Sequence, residues 1–198
     1  MTGGAGFIGS CVVRALNDEG IEDIIIVDNI STTDKWMNLS NKRYIKYVHK
    51  CCFLQELDVY QNITAIIHMG AQSSTEEKDF DYLWRNNFEY TKALWKYCAE
   101  KGIQFIYASS AATYGSGEQG FDDSVDIDCL SPLNGYGYSK QLFDQWVKNQ
   151  ASVFPRQYVG LKFFNVYGPN EYFKGKMASM IFHGYEQIQK TGKINLFK

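Results

Sequence analysis

The chain begins with the stretch MTGGAGFIGSC (1–11), in which glycine recurs at every third position. Gly3, Gly6 and Gly9 form the pattern G-x-x-G-x-x-G and lead directly into apolar residues at helical spacing. Such a loop normally follows a buried strand and holds nucleotide phosphates at the N-terminus of the next helix. We expect Gly3 to allow the tight turn, Gly6 to let the backbone approach a pyrophosphate, and Gly9 to let helix and sheet pack closely.

An acidic residue follows at the distance that this kind of loop requires. Asp28 ends the apolar run DIIIVD (23–28), nineteen residues after the last loop glycine. A carboxylate at that position binds the adenosine ribose of a dinucleotide, which favours NAD. Asn29, Lys35 and Lys50 follow, and their amide and ammonium donors could hold the 2′-phosphate of NADP. A solvated surface is the alternative for the two lysines.

The rest of the chain alternates short apolar runs with helical patterns. Continuous apolar runs predict parallel strands covered on both faces at 23–28, 63–70, 103–110 and 158–168. Apolar residues at helical spacing predict helices at 5–19, 79–101, 138–151 and 177–190. This alternation is typical of βαβ units. The predicted fold class is therefore α/β, with a Rossmann-like, doubly wound parallel sheet.

The composition narrows the class of protein. With 198 residues, 45% of them hydrophobic, the chain is long enough for one domain with a sizeable core. A formal net charge of −2 gives no basic field for nucleic acid or a membrane surface. The sequence has no apolar run of roughly 20 residues, as a membrane span needs, and no signal-peptide pattern. Five scattered cysteines and three scattered histidines predict reduced thiols in the cytoplasm and no metal site.

Two further stretches carry side chains suited to proton transfer. YGYSK (136–140) places Tyr136 and Lys140 one helical turn apart on the same face. A phenol titrates at about pH 10, but an adjacent ammonium and a nicotinamide cation would bring Tyr136 into range as a base. YASSAATYG (107–115) places Ser110 at the carboxyl end of a strand, where open α/β sheets bind ligands. Ser110 could hydrogen-bond the reacting oxygen.

Together these motifs resemble the extended branch of the short-chain dehydrogenase/reductases, which act on nucleotide sugars. The resemblance is carried by TGGAGFIGS (2–10), YASSAATYG (107–115), YGYSK (136–140) and FFNVYGPNE (163–171). Within that branch, the chain is most similar to members that epimerise an ADP-linked heptose, through VDNISTTDK (27–35), GAQSSTEE (70–77) and YFKGKMASMIFH (172–183).

The resemblance implies a reaction and its setting. ADP-D-glycero-D-manno-heptose would become ADP-L-glycero-D-manno-heptose by transient NADP-dependent oxidation at C6 of the heptose. The product would serve lipopolysaccharide inner-core synthesis. The resemblance further implies a cytoplasmic bacterial enzyme that is a homo-oligomer at full length and has no nucleic-acid or membrane partner. NAD is the less favoured cofactor.

The resemblance also implies roles for individual residues. Ser110, Tyr136 and Lys140 would form a catalytic triad, and Lys174 would be a second acid/base. The residues implied for binding NADP, besides the three loop glycines, are Phe7, Ile8, Asp28, Asn29, Lys35, Lys50, Met69, Gly70, Ala71, Gln72, Ser73, Asn86, Lys140, Val166 and Lys174. Those implied for binding the sugar nucleotide are Ser110, Asn165, Lys176, His183 and Phe197.

A second acid/base has a geometric reason in this reaction. The nicotinamide stays on one side of the substrate, yet hydride must reach both faces of one carbon. Because that carbon lies outside the sugar ring, the transient ketone can rotate about its exocyclic bond. Its oxygen then points in opposite directions before and after rotation, and one proton-transfer group cannot reach both positions. Tyr136 and Lys174 on opposite sides would solve this problem. Without the resemblance, Lys174 would be read as a surface lysine.

The chain departs from the family pattern at both ends. Family members have a central first strand that ends in VTGG, whereas this chain begins MTGG (1–4). We therefore expect the first strand to be missing, and the neighbouring strands to lack backbone partners. We also expect the substrate lobe to be largely absent. The expected division is an NADP-binding domain, 1–167, and an incomplete substrate-binding portion, 168–198.

Other readings of the same motifs remain. A nucleotide-sugar 4,6-dehydratase is disfavoured, because alanines at 111 and 112 follow Ser110 where that chemistry needs an acid. A UDP-hexose 4-epimerase shares the triad and needs no second base, and the triad alone does not separate either enzyme from a ketoreductase. A further reading is an inactive fragment of the heptose epimerase, since a triad without the wall that binds the sugar loses its positioning. On that reading, the 198-residue chain is poorly soluble or inactive.

Overall fold

The computed structural model describes residues 1–195, with five parallel strands and helices on both sides of them. The strands are β1 (Ile25–Asp28), β2 (Lys46–His49), β3 (Ala65–His68), β4 (Gln104–Ser110) and β5 (Tyr158–Phe163). The α-helices are α1 (Phe7–Asp18), α2 (Lys50–Gln55), α3 (Phe80–Leu83), α4 (Tyr90–Lys101), α5 (Gly135–Lys148) and α6 (Met180–Thr191). The α/β class predicted from the sequence is confirmed, and so are the four strands and four helical regions.

The sheet has two paired blocks joined by the start of the chain. β1 pairs with β2, and β3, β4 and β5 pair in that order, all in parallel. Thr2 makes a parallel bridge to Val27 of β1 on one side and to His68 of β3 on the other. The Thr2 N–H donates to the carbonyl of Ile67 at 2.9 Å, and the Met69 N–H donates to the carbonyl of Thr2 at 3.1 Å.

This bridge corrects one expectation from the sequence. In residues 1–195, the backbone of residues 1–3 pairs with β1 and β3 and so occupies the place of a central strand. Val27 N–H donates to the carbonyl of Met1 at 2.8 Å, and Gly3 N–H donates to the carbonyl of Val27 at 2.7 Å. β1 and β3 are therefore not left without partners at their carboxyl ends, because two or three residues suffice to supply these bonds.

Helices cover the two faces of the sheet, and neighbouring side chains of β1 pack against opposite faces. Val27 faces a core with Trp95 of α4, Phe105 of β4 and Phe143 of α5. Its neighbour Ile26 points to the opposite face, which packs against the apolar side of α1. Successive strand residues point to opposite faces, so a strand buried on both sides reads as a continuous apolar run.

Two elements were not predicted from the sequence. β2 and α2 are short, and β2 has a buried residue only at Val48, so neither gives a long apolar pattern. The helix predicted at 79–101 is continuous from Phe80 to Lys101, but residues 84–89 form a π-turn between α3 and α4. In residues 1–195, no helix has the length and apolar character needed to cross a membrane.

Candidate active site

The glycine loop turns tightly against β3 and then starts α1. Gly3 has a φ of +66°, a left-handed conformation that glycine adopts without strain. A Cβ on Gly3 would also lie 2.6 Å from the backbone nitrogen of Gly70. A Cβ on Gly9 would overlap the carbonyl oxygen of Gly3. Gly9 therefore lets α1 pack against the loop itself, rather than against the sheet as expected from the pattern. α1 begins at Phe7 after the N-cap residue Gly6.

Asp28 at the end of β1 is a buried anchor for the loop. One oxygen of its carboxylate accepts the N–H of Ala5 at 2.9 Å. The other accepts the N–H of Asn29 at 2.7 Å and the ammonium of Lys35 at 2.8 Å. Lys35 also donates to the carbonyl of Asn29 at 2.8 Å. The ammonium of Lys35 is thus fixed at the carboxyl end of the strand instead of extending freely into solvent.

A cleft of about 210 Å³ lies at the carboxyl ends of β1 and β3. Nine of the residues implied for the cofactor line it: Gly3, Asp28, Asn29, Lys35, Lys50, Gly70, Ala71, Gln72 and Asn86. Five further residues line the cleft and were not predicted from the sequence: Thr2, Val27, His68, Tyr82 and Tyr90. The remaining residues implied for the cofactor are outside this lining: Gly6, Phe7, Ile8, Gly9, Met69, Ser73, Lys140, Val166 and Lys174.

Lys50 reaches across this cleft to the π-turn. Its ammonium donates to the side-chain oxygen of Asn86 at 2.6 Å and lies 5.7 Å from the centre of the Tyr82 ring. The interpretation of Lys50 as a purely solvated surface residue is therefore wrong, and the same holds for Lys35. Both lysines present positive charge to the cleft, as an anionic ligand requires.

Asn87, in the π-turn, connects the cleft to α5, the helix that carries Tyr136 and Lys140. Its side chain exchanges two hydrogen bonds of 2.9 Å with the backbone of Gln72. Its amide also donates to the Ser139 hydroxyl at 3.0 Å, and that hydroxyl donates to the carbonyl of Tyr136 at 2.7 Å. No sequence signal identified Asn87, because the π-turn that directs its side chain is not visible in helical periodicity.

The three residues of the expected triad come from two elements that meet beside the cleft. Ser110 ends β4, while Tyr136 and Lys140 lie in the first two turns of α5. The Lys140 ammonium is buried and donates to the carbonyl of Ala108 at 2.8 Å. Burial lowers the pKa of Lys140 to about 8, against an opposing effect of Asp144. Burial also raises the pKa of Tyr136, and hydrogen bonding by the Ser110 side chain offsets part of that rise.

A buried ion pair lies one turn beyond Lys140. The Asp144 carboxylate accepts the Tyr107 hydroxyl at 3.1 Å, the Ser109 hydroxyl at 2.6 Å and the Lys162 ammonium at 2.9 Å. Lys162 also donates to the Thr113 hydroxyl at 2.8 Å. These contacts tie α5 to β4 and β5, and so fix the helix that carries Tyr136 against the strand that carries Ser110.

The residues implied for the substrate lie on the segment after β5. The Lys174 ammonium lies 5.8 Å from the centre of the Phe7 ring, at the start of α1. Burial lowers the pKa of Lys174, and the Glu171 carboxylate acts in the opposite direction. Asn165, Val166 and Lys176 are exposed, and His183 in α6 is half-buried. Phe197 lies outside the residues that the structure describes.

Within 1–195, no three side chains of His, Cys, Asp or Glu lie together in a way that could hold a metal ion. The five cysteines are free thiols. The groups that converge on the site are amide, hydroxyl, phenol and ammonium groups, which suit hydrogen bonding and proton transfer.

The glycine loop, the cleft and the three residues of the expected triad are features expected of proteins of the epimerase and dehydratase type. Residues 1–198 match the NAD dependent epimerase/dehydratase family, and the chain belongs to that family. It is 53% identical over 204 residues to the ADP-L-glycero-D-manno-heptose-6-epimerase of Fusobacterium nucleatum, covering 100% of this chain and 61% of that protein. It is 52% identical over 202 residues to the enzyme of that name from Nitratidesulfovibrio vulgaris, covering 100% of this chain and 62% of that protein.

Solved structures agree with this assignment. The Helicobacter pylori ADP-L-glycero-D-manno-heptose-6-epimerase superposes with a TM-score of 0.85 at 28% identity, covering 100% of this chain and 64% of that one. UDP-glucose 4-epimerase from Brucella ovis, in complex with NAD, gives a TM-score of 0.66 at 26% identity, covering 84% of this chain and 51% of that one. The chain thus spans about three-fifths of the length of the curated relatives it matches.

Proposed function

We propose that the whole protein is an ADP-heptose 6-epimerase that interconverts ADP-D-glycero-D-manno-heptose and ADP-L-glycero-D-manno-heptose. The observation that carries the proposal is the meeting of Ser110, Tyr136 and Lys140 beside a dinucleotide cleft, in a chain whose curated relatives bear that name. The proposal includes a place in lipopolysaccharide inner-core synthesis in the bacterial cytoplasm, and a homo-oligomeric state.

The cofactor in this proposal is NADP, and the residues present fit it. Gly3 has no room for a Cβ beside Gly70, as expected of the first glycine of a dinucleotide-binding loop, which allows the tight turn. Lys35 and Lys50 provide two ammonium groups at the end of β1, where the adenosine ribose would lie. Lys35 is paired with the Asp28 carboxylate, so these three groups leave one net positive charge, which favours a 2′-phosphate over a free hydroxyl.

The residues of the triad have separate tasks in the proposed mechanism. When bound, the nicotinamide supplies the acceptance and return of hydride. Tyr136 exchanges the proton of the C6 hydroxyl, and Ser110 hydrogen-bonds the same oxygen. Lys140 lies one helical turn from Tyr136, and its positive charge favours the phenolate. Because burial raises the pKa of Tyr136 in the ligand-free chain, the phenol depends on such added charge to act near neutral pH.

Lys174 is the second acid/base in this proposal. After the ketone rotates about its exocyclic bond, the oxygen points away from Tyr136 and needs another proton donor. Lys174 is half-buried, and its ammonium faces Phe7 in the first turn of α1, the helix that follows the glycine loop. Burial lowers the pKa of its ammonium and so eases proton release.

A UDP-hexose 4-epimerase is the second candidate. The fold similarity to the Brucella ovis UDP-glucose 4-epimerase favours it. A 4-epimerase uses one tyrosine and needs no second base, so the same triad would serve it. The higher identity to proteins named as heptose epimerases, across the whole chain, favours the first candidate. Activity on an ADP-heptose compared with a UDP-hexose separates the two directly.

The mechanism is tested by two substitutions in the whole protein. Tyr136→Phe and Lys174→Met should each reduce the epimerisation rate by at least about 100-fold, the usual contribution of a general acid/base. The assay follows conversion of the purified D-glycero epimer into the L-glycero epimer. Tyr138→Phe is the matched control, because Tyr138 is exposed two residues further along α5. An unchanged rate in Lys174→Met would show that one base suffices.

A further inference from the structure

The segment between β5 and α6 is closed at its base by a buried carboxylate. Glu171 is 3% exposed, and its side chain accepts three hydrogen bonds. One oxygen accepts the N–H of Gly168 at 3.1 Å and the Ser179 hydroxyl at 3.0 Å. The other accepts the N–H of Ser179 at 2.6 Å. Residues 168 and 179 are thereby held together at the two ends of one loop.

Capping of α6 does not account for this arrangement. Ser179 is the N-cap residue of α6, and its own hydroxyl accepts the N–H of Phe182 at 3.0 Å. The bond from Gly168 contributes nothing to α6, because Gly168 lies eleven residues before that cap. Burial alone would raise the pKa of Glu171, but the donors from Ser179 and Gly168 hold it below its usual range. The carboxylate is therefore charged, and it joins the two ends of the loop. We call this arrangement, Glu171 bonded to Gly168 and Ser179, the clasp.

The first turn of the loop is attached to the start of the molecule. The Asn170 side chain donates to the Ser10 hydroxyl at 3.0 Å, and the Cys11 thiol donates to the carbonyl of Pro169 at 3.3 Å. The Asn38 side chain donates to the carbonyl of Ala5 at 3.0 Å and to that of Asn170 at 3.4 Å. These hydrogen bonds attach the start of the loop to α1 and to the glycine loop.

Lys174 lies between these fixed points. Its N–H donates to the carbonyl of Glu171 at 3.0 Å, and its ammonium faces the Phe7 ring. Lys176, two residues further, is exposed. The two lysines of this loop therefore face different ways, Lys174 toward α1 and Lys176 toward solvent, with the left-handed Gly175 between them.

We infer that Glu171 is a positioning residue for Lys174, holding the loop closed so that the Lys174 ammonium faces the start of α1. The inference rests on the proposed function for its catalytic meaning, since it deepens the role of Lys174. The claim that Glu171 holds the loop closed concerns the structure alone, and it can be tested without measuring activity. Glu171 touches neither substrate nor dinucleotide in this proposal and acts only through the loop.

The geometric content is tested by lysine labelling. Trace acetylation with acetic anhydride, read by mass spectrometry, gives the rates for Lys174 and Lys176 in the same molecule. Glu171→Gln should raise the ratio of the Lys174 rate to the Lys176 rate severalfold, because the opened loop exposes Lys174 and the lost carboxylate no longer raises the Lys174 pKa. Ser179→Ala, which keeps the carboxylate, isolates the effect of loop opening. Glu186→Gln on α6 removes one exposed carboxylate without touching the clasp, and should leave the ratio unchanged. An unchanged ratio in a folded Glu171→Gln protein would overturn the inference.

A second variant keeps the test decisive if Glu171→Gln does not fold. Ser179→Ala removes one donor to the carboxylate but keeps its charge, and should raise the same labelling ratio to a smaller extent. If the ratio does not change in folded Ser179→Ala either, the clasp has no role in orienting Lys174. Circular dichroism of each variant identifies those that retain the fold.

Kinetics of the whole protein separate this inference from the proposed function. Glu171→Gln should lower kcat on the order of 100-fold with little change in KM, as expected from misplacing a catalytic group by about 1 Å. Glu171→Asp should recover part of the rate. If the labelling ratio changes while both Lys174→Met and Glu171→Gln retain full epimerisation, the clasp stands and the two-base function fails. If Lys174→Met is inactive while labelling is unchanged, the function stands and the clasp fails.

Discussion

Gly9 lies where the first turn of α1 comes closest to the preceding loop. A single added carbon at this position would prevent α1 from starting where it does, because a Cβ on Gly9 would overlap the backbone carbonyl oxygen of Gly3. Backbone atoms cannot move aside as the end of a flexible side chain can. The same constraint lets the N–H groups at the start of α1 stay close to the loop that would hold the phosphates.

Gly9→Ala should therefore destabilise the fold and weaken dinucleotide binding together. We expect a loss of about 3 kcal/mol in the free energy of unfolding, the upper part of the usual range for overpacking. Urea unfolding measures the first effect and dinucleotide titration the second. Gly184→Ala is the matched control within α6, where the added Cβ would be 3.4 Å from the nearest atom of Ile194. Equal stability of the two variants would contradict this explanation.

At the scale of elements, the Asp144–Lys162 pair joins α5 to β5. Both side chains are largely buried, with the carboxylate 4% and the lysine 17% exposed. A buried pair contributes little net stability compared with apolar residues of similar size, but loss of one partner leaves an uncompensated charge. The pair is therefore expected to specify which helix packs on which strand.

Asp144→Asn should cost about 3–5 kcal/mol, because Lys162 then remains buried without its counter-charge. The double variant Asp144→Asn/Lys162→Met should recover most of this loss, since it leaves no unpaired charge. Chemical unfolding of the two variants and of the parent chain provides the comparison. Failure of the double variant to recover stability would mean that the hydrogen bonds from Tyr107 and Ser109, and not the charges, stabilise the junction.

His68 links three elements at the centre of the sheet. One ring nitrogen is 2.5 Å from the Thr2 hydroxyl and the other is 2.9 Å from the Thr91 hydroxyl of α4. The ring stacks on Tyr90 and Phe105. Burial lowers the pKa of His68 to about 3, and the positive charges of Lys140 and the N-terminal amine add to the effect. The folded protein therefore keeps this ring neutral.

This burial predicts a loss of stability in acid. Below the ordinary pKa of about 6.5, the unfolded chain binds a proton at His68 that the folded chain does not. The free energy of unfolding should fall as the pH falls from 6.5 toward 3, by up to about 1.4 kcal/mol per pH unit from this residue. His68→Gln should show a shallower dependence, measured by urea unfolding at several pH values. His49→Gln, which changes an exposed histidine on β2, should keep the parent slope.

At the scale of the whole molecule, the cleft lies at the seam between the two blocks of the sheet. The backbone of residues 1–3 joins β1 to β3, and the cleft residues come from the ends of both strands. A dinucleotide bound there would contact both blocks. Its binding free energy would then add directly to the stability of the folded state.

NADP should accordingly raise the melting temperature more than NAD at the same concentration. At 100 times its dissociation constant, a ligand adds about 2.7 kcal/mol of stability. Lys35→Ala should reduce the advantage of NADP, because the 2′-phosphate loses a cationic partner. Lys96→Ala, on the exposed side of α4, should leave the advantage unchanged. Equal shifts with both dinucleotides in the parent chain would contradict the preference for NADP.

Much of the fold and part of the site were predictable from local patterns. Apolar runs predicted β1, β3, β4 and β5, since strands buried on both faces need such runs. Spacing in the chain also identified Asp28, Tyr136 and Lys140, because a turn of helix or a strand end fixes where such side chains point. β2 was missed, as only Val48 in it is buried and no apolar run marks it.

What the sequence by itself determined is the α/β class, the glycine loop and the identity of the residues suited to proton transfer. Only the tertiary structure decided that Thr2 fills the central place in the sheet, that Asn87 bonds to Ser139 of α5, and that Glu171 holds residues 168 and 179 together. The physical reason is the range of the interactions. Helix and strand patterns depend on neighbours within a few residues, whereas these hydrogen bonds depend on groups that meet only after the chain has folded.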